Sequence, residues 1–105
     1  MKPSEHRELA DALRARVTEA KGKTDSTLRT AAMNRAALAE PFGALVAQID
    51  EAAARVTDDQ VAAVREALGS DKAAFEIVMA AAIGAGLRRF DRAMRAIEES
   101  GDATE

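Results

Sequence analysis

The stretch Met79-Ala80-Ala81-Ala82-Ile83-Gly84-Ala85-Gly86-Leu87 decides the architecture of this chain. Alanine has the highest intrinsic helix propensity, and leucine and methionine are close behind it, so the stretch reads as helix despite its two glycines. No polar residue occurs between Glu76 and Arg88, whereas a helix with one wet side carries polar residues there. The stretch therefore predicts a central helix enclosed by other helices on most of its circumference. Outward from it, Phe75, Met79, Ile83, Gly86, Phe90, Met94 and Ile97 follow helical spacing and form the expected core face, with Val78 and Leu87 widening it. The predicted helix runs over 72–98, roughly 40 Å at 1.5 Å per residue. That is more than a domain of this size covers, so its C-terminal half is expected to reach a partner. Gly84 and Gly86 each cost roughly 1 kcal/mol relative to alanine in a helix interior, which points to close backbone packing or a kink.

Upstream, Thr57-Asp58-Asp59-Gln60 is a capping box, with Val56 and Val61 placed to staple it. The helix it opens runs to Leu68, with Val61, Val64 and Leu68 inward. Gly69 ends it, and Ser70 or Asp71 caps the long helix. Before that, Phe42, Leu45, Val46, Ile49, Ala53 and Val56 form one apolar face, and Asp50, Glu51 and Arg55 lie opposite. Glu51 and Arg55 are an i,i+4 pair. Glu40-Pro41 marks a boundary, because the residue before proline avoids helical geometry. An alanine-rich helix capped by Asp25 or Ser26 is expected to reach Ala39. The first helix runs from Ser4, its cap, to about Ala20, with Leu9, Leu13 and Val17 as a narrow stripe and Gly22 as C-cap. No strand pattern occurs. The fold class is all-α, a single helical domain over 1–105. Residues 1–23 are a peripheral N-terminal helix, 24–98 the helical core and 99–105 a flexible tail.

Composition narrows the chemistry. The 105 residues include no cysteine, tryptophan or tyrosine and only three phenylalanines, with a net charge of −3. Without cysteine there is no disulfide, no thiol chemistry and no Cys-ligated metal, which fits a cytoplasmic location. The acidic balance argues against nucleic acid and anionic membranes as partners. The longest uncharged run, Ile77 to Leu87, has eleven residues, too short to span a bilayer. The N-terminus carries no apolar signal-like segment. No cofactor or metal site is expected: His6 is the sole histidine, sits between Glu5 and Arg7, and reads as an exposed, non-catalytic residue.

Glu76 and Arg89 are the candidate catalytic residues. Glu76 either faces the interior, where burial would raise its pKa and make it an acid or base, or pairs with Lys72 one turn before it. Glu40 reads as a surface helix end. Arg88, Arg92 and Arg95 share the side opposite Phe90, with Asp91 placed to pair with Arg95. This row reads as a solvated face, an intersubunit ion-pair site or an anion site. Arg89 lies nearest the apolar face and is the arginine expected to be partly buried.

The stretch from Leu28 to about Ile97 resembles the carboxymuconolactone decarboxylase and AhpD-like superfamily. The likeness is carried by Val56-Thr57-Asp58-Asp59-Gln60-Val61-Ala62-Ala63-Val64-Arg65 and by the segment from Phe75 to Phe90. The resemblance implies an all-α AhpD-like domain with a long alanine-rich C-terminal helix, assembled as a homo-oligomer. The thiol peroxidase branch of that family uses a Cys-x-x-Cys pair with nearby Glu and His. This chain has no cysteine, so thiol peroxidase activity does not carry over. Three functions follow. The first is an oligomeric structural or binding member without redox function. The second is a cofactor-free decarboxylase or isomerase that uses a buried carboxylate and an arginine on a small anionic substrate. The third is a small regulatory or nucleic-acid-binding protein that uses the arginine row.

Overall fold

The computed structural model describes residues 2–104, with the side chains of Pro3 and of 102–104 left out. Every regular element among these residues is helical: α1 Pro3–Glu19, α2 Ser26–Met33, α3 Phe42–Ala52, α4 Asp58–Leu68 and α5 Asp71–Thr104, with a 3-10 turn at Ala53–Arg55. None is long and apolar enough to cross a membrane. The spine is α5, which all four other helices touch.

Local chemistry sets most of the boundaries. The Thr57 hydroxyl accepts the Gln60 N–H at 3.2 Å, and the Gln60 side chain accepts the Thr57 N–H at 3.0 Å, completing the capping box. Gly69, at φ 79°, ends α4 in the left-handed region that glycine enters without steric cost. The Ser70 hydroxyl then accepts the Ala73 N–H at 3.0 Å and starts α5. Asp25 caps α2 through the Thr27 N–H at 3.1 Å.

Other boundaries depart from sequence expectation. Helix α1 begins at Pro3 rather than after Ser4, and Ala20 rather than Gly22 is its C-cap. Helix α2 stops at Met33 instead of Ala39. The chain reverses there through Arg35, at φ 52°, with the Ala36 N–H returning to the Ala31 carbonyl. Two carboxylates hold this turn, because Arg35 donates to Asp50 at 2.7 Å and also to Glu51. Glu51 is thereby paired with Arg35, not with Arg55. The Glu40–Pro41 peptide at the next boundary is cis. Helix α5 extends beyond 98 and carries the polar end as helix to Thr104.

The largest correction concerns which face of α5 is the core. The buried positions are Ala73, Ala74, Ile77, Ala80, Ala81 and Ala85, packed with Ala32, Met33, Leu45, Val46, Ile49 and Val64. The face expected to be buried lies largely outside this core: Phe75, Met79 and Ile97 are 62%, 41% and 64% exposed, Ile83, Leu87, Phe90 and Met94 are half-buried, and Val78 packs against the core. Ala82 and Gly86 are exposed beside them, so within 79–87 the open side of α5 is confined to Met79, Ala82 and Gly86, and the other six positions are buried or half-buried. The physical reason lies in backbone approach. At Gly84 an added Cβ would fall 1.9 Å from the Met33 carbonyl oxygen, a separation that only glycine permits. Small side chains let α2 and α3 lie directly on α5, and the bulky residues are displaced to the opposite side.

Gly84→Ala is therefore expected to destabilise the chain by about 1–3 kcal/mol through overpacking against backbone. Urea denaturation followed by circular dichroism measures it, and an unchanged midpoint would show that α2 does not sit this close.

Candidate functional site

Glu76 stands near the start of α5, where the link between α1 and α2 crosses it. Its carboxylate accepts the Lys23 N–H at 2.8 Å, the Thr24 N–H at 2.9 Å and the Thr24 hydroxyl at 2.7 Å. Gly22 makes this embrace possible, since a Cβ there would lie 2.5 Å from Glu76 Oε1. Behind it, the buried Arg29 guanidinium lies 3.9 Å from the carboxylate. Arg29 also donates to the Val17 carbonyl at 2.9 Å, to the Thr24 carbonyl at 2.5 Å and to the Ala20 carbonyl. Those carbonyls include the open C-terminal end of α1, which has no intrahelical donors of its own. One arginine on α2 thus closes α1, and one glutamate on α5 closes the link.

This arrangement gives neither of the roles expected for Glu76. Burial pushes its pKa up, but the Lys23 and Thr24 hydrogen bonds and the Arg29 charge outweigh that and hold it at about 2. It is an ionised carboxylate saturated with donors, not an acid or base with a raised pKa, and its partners are Lys23, Thr24 and Arg29 in place of Lys72.

Beside this lock, a cavity of about 600 Å³ opens between the end of α1, the 20–22 link and the first half of α5. Val17, Phe75, Met79 and Ile83 form an apolar wall, and Arg16, Lys21 and Lys72 also line the cavity. All three cations are exposed. Glu76 is the one carboxylate lining the cavity.

Arg89 lies elsewhere. It is thirteen positions along α5, ~20 Å by helix rise, and donates to the Asp50 carbonyl of α3 at 2.5 Å. It is exposed, and Arg88 is the half-buried one. Arg88 donates to the Met33 carbonyl at 2.6 Å and to the Asp50 carboxylate at 2.6 Å. The Arg88 hydrogen bond, with the nearby Arg88 and Arg35 charges, lowers the Asp50 pKa despite burial. Glu76 and Arg89 are therefore held in separate clusters and do not converge. Arg92 and Arg95 line a second, open cavity of about 480 Å³ with Arg35, Arg88, Asp50 and Asp91. Asp91 pairs with Arg14 of α1 at 2.8 Å rather than with Arg95. Glu40 accepts the Ala44 N–H at 3.1 Å at the start of α3. The His6 ring is half-buried and lies 5.8 Å from that of Phe90. Among the described residues no three His, Asp or Glu side chains converge to hold a metal ion.

Sequence reasoning missed Thr24, Arg29 and Asp50. Arg29 carried one signal, a cation placed within the apolar part of a short alanine-rich helix; Thr24 and Asp50 carried none, because Glu76 and Arg88 reach them from distant parts of the chain. No family model, curated protein or solved structure matches this chain.

The lock has a pH signature. The Glu76 pKa falls from its usual 4.5 to about 2 on folding, so its stabilisation is complete above pH ~4.5 and is lost as pH drops toward 2. Glu76→Gln is expected to lower neutral-pH stability by about 1–3 kcal/mol and to flatten the acid limb over that window. Urea midpoints measured from neutral to acid pH check this, and parallel wild-type and variant curves would refute it.

Proposed function

We propose that this protein is an AhpD-like helical binding protein without thiol chemistry, and that it holds a small apolar anion in the cavity between α1 and α5. The observation that carries the reading is the lining of that cavity: an apolar wall, three exposed cations and a single carboxylate whose charge is already taken up. A volume of about 600 Å³ lies within the ~300–1,000 Å³ typical of small-molecule sites. Glu76 does not repel an anion strongly, because three hydrogen bonds and Arg29 already compensate it. Arg29 has spent its donors on carbonyls, so recognition falls to Arg16, Lys21 and Lys72.

Several features support the AhpD-like part of the reading. The residues that carry the resemblance fold as a short capped helix, a glycine turn and a long alanine-rich helix. The absence of cysteine fits a non-redox member in a reducing cytoplasm. Binding is favoured over proton-transfer chemistry because Glu76 is held ionised and Arg89 is bonded away from it.

Decanoate is a suitable probe, with decanol as its uncharged counterpart. Isothermal titration is expected to show one saturable decanoate site per chain and much weaker decanol binding. Lys72→Glu, at an exposed position, is expected to weaken decanoate about tenfold, or ~1.4 kcal/mol. Equal binding of acid and alcohol, or decanoate binding insensitive to Lys72→Glu and Arg16→Glu, would remove the anion from the proposal.

A further inference from the structure

The outer face of α5 is exposed at every position but Phe90, which is half-buried beside His6 of α1, and its composition is unlike that of a solvated surface. Phe75, Met79, Ala82, Gly86, Phe90, Ala93 and Ile97 follow one another at spacings of 4, 3, 4, 4, 3 and 4 residues. That is an 11-residue repeat taken twice, the period that keeps a stripe nearly straight along a helix. None of the seven positions is charged. Helix α1 lies antiparallel beside it, tied by Arg7 to Glu98 and by Arg14 to Asp91. It adds Leu9 and Leu13, which are 58% and 40% exposed and line a shallow hollow with Leu87 and Phe90.

The two glycines in the middle of α5 differ in a telling way. Gly84 is required by the Met33 carbonyl, as shown above. Gly86 has nothing within 4 Å of where a Cβ would stand. Within one chain, glycine there costs roughly 1 kcal/mol of helix propensity with no packing return.

We infer that this face is the contact between two copies of the chain, with their α5 helices antiparallel and crossing at Gly86. The seam is self-complementary about that residue. A two-fold axis through Gly86 pairs residues whose numbers add to twice 86, which sets Phe90 over Ala82 and Met79 over Ala93, large against small. Phe75 meets Ile97 at each end, and the two Gly86 backbones approach at the centre. A parallel arrangement stacks Phe90 on Phe90 and leaves gaps at Ala82 and Gly86. The face formed by α5 and α1 is roughly 33 Å by 20 Å, taking helix rise and a ~10 Å interaxial spacing, so about 650 Å² per chain is available. Twice that falls within the ~1,200–2,000 Å² of stable interfaces. This inference goes beyond the ligand proposal but shares Phe75 and Met79 with the wall of that cavity; Ala82 and Gly86 do not line it, so Gly86→Glu tests the contact without touching the ligand site.

Light scattering coupled to size exclusion tests it. The wild-type chain is expected at twice its monomer mass. Gly86→Glu is expected at the monomer mass with an unchanged helical circular dichroism spectrum, since the position is open within one chain. A wild-type monomer, a higher assembly or a dimeric Gly86→Glu variant would overturn the contact. The cysteine-free sequence allows the register to be read directly. Gly86→Cys is expected to oxidise readily to a disulfide-linked dimer. Phe75→Cys is expected to cross-link only when mixed with Ile97→Cys. Self-cross-linking of Phe75→Cys as fast as that of Gly86→Cys would overturn the antiparallel order.

Discussion

The approach of α2 to α5 at Gly84 is the constraint on which the other contacts depend. With no side chain there, the Met33 carbonyl rests against the α5 backbone, and the alanines on either side keep the surface low. Leu45, Val46 and Ile49 from α3 and Val64 from α4 then complete a core with few large side chains and no aromatic residue among its fully buried members. The dispersion energy of such a core comes from closeness rather than from the area of each side chain. The same close fit brings the end of α2 within reach of Arg88, which bonds both the Met33 carbonyl and Asp50.

Polar ties hold the two ends of this contact. Toward the start of α5, Glu76 gathers the α1–α2 link while Arg29 closes the end of α1. One turn past the crossing, Asp50 draws together Arg35 and Arg88 from α2–α3 and α5. In both clusters a partly buried charge is compensated by several donors or carbonyls, the condition under which burying charge is tolerated. Neither cluster is a lone ion pair on the surface, where the contribution would be near zero. The ties also separate the two residues first considered for catalysis, since each is engaged with a different neighbouring segment.

With its small face given to the core, α5 presents its larger apolar residues outward. One portion, Phe75, Met79 and Ile83, forms the wall of the cation-lined cavity. The longer stripe continues to Ile97 without a charge. Both features follow from one packing choice, and both concern what the chain meets rather than how it folds.

The amino-acid sequence alone determined the all-helical class, the capping box at Thr57–Gln60, the turn at Gly69, a cap at Ser70 or Asp71 and the long alanine-rich helix after it, because each rests on interactions within a few residues. It pointed to Glu76 as a residue of interest, but not to its state, since Lys23, Thr24 and Arg29 reach it from more than forty positions away. Tertiary structure decided the early end of α2, where long-range arginine–carboxylate bonds override alanine's helix propensity. It also decided the facing of α5. Between Met79 and Leu87 every side is apolar or small, so periodicity carries no direction, and only the close contact with the Met33 carbonyl selects the side that turns inward.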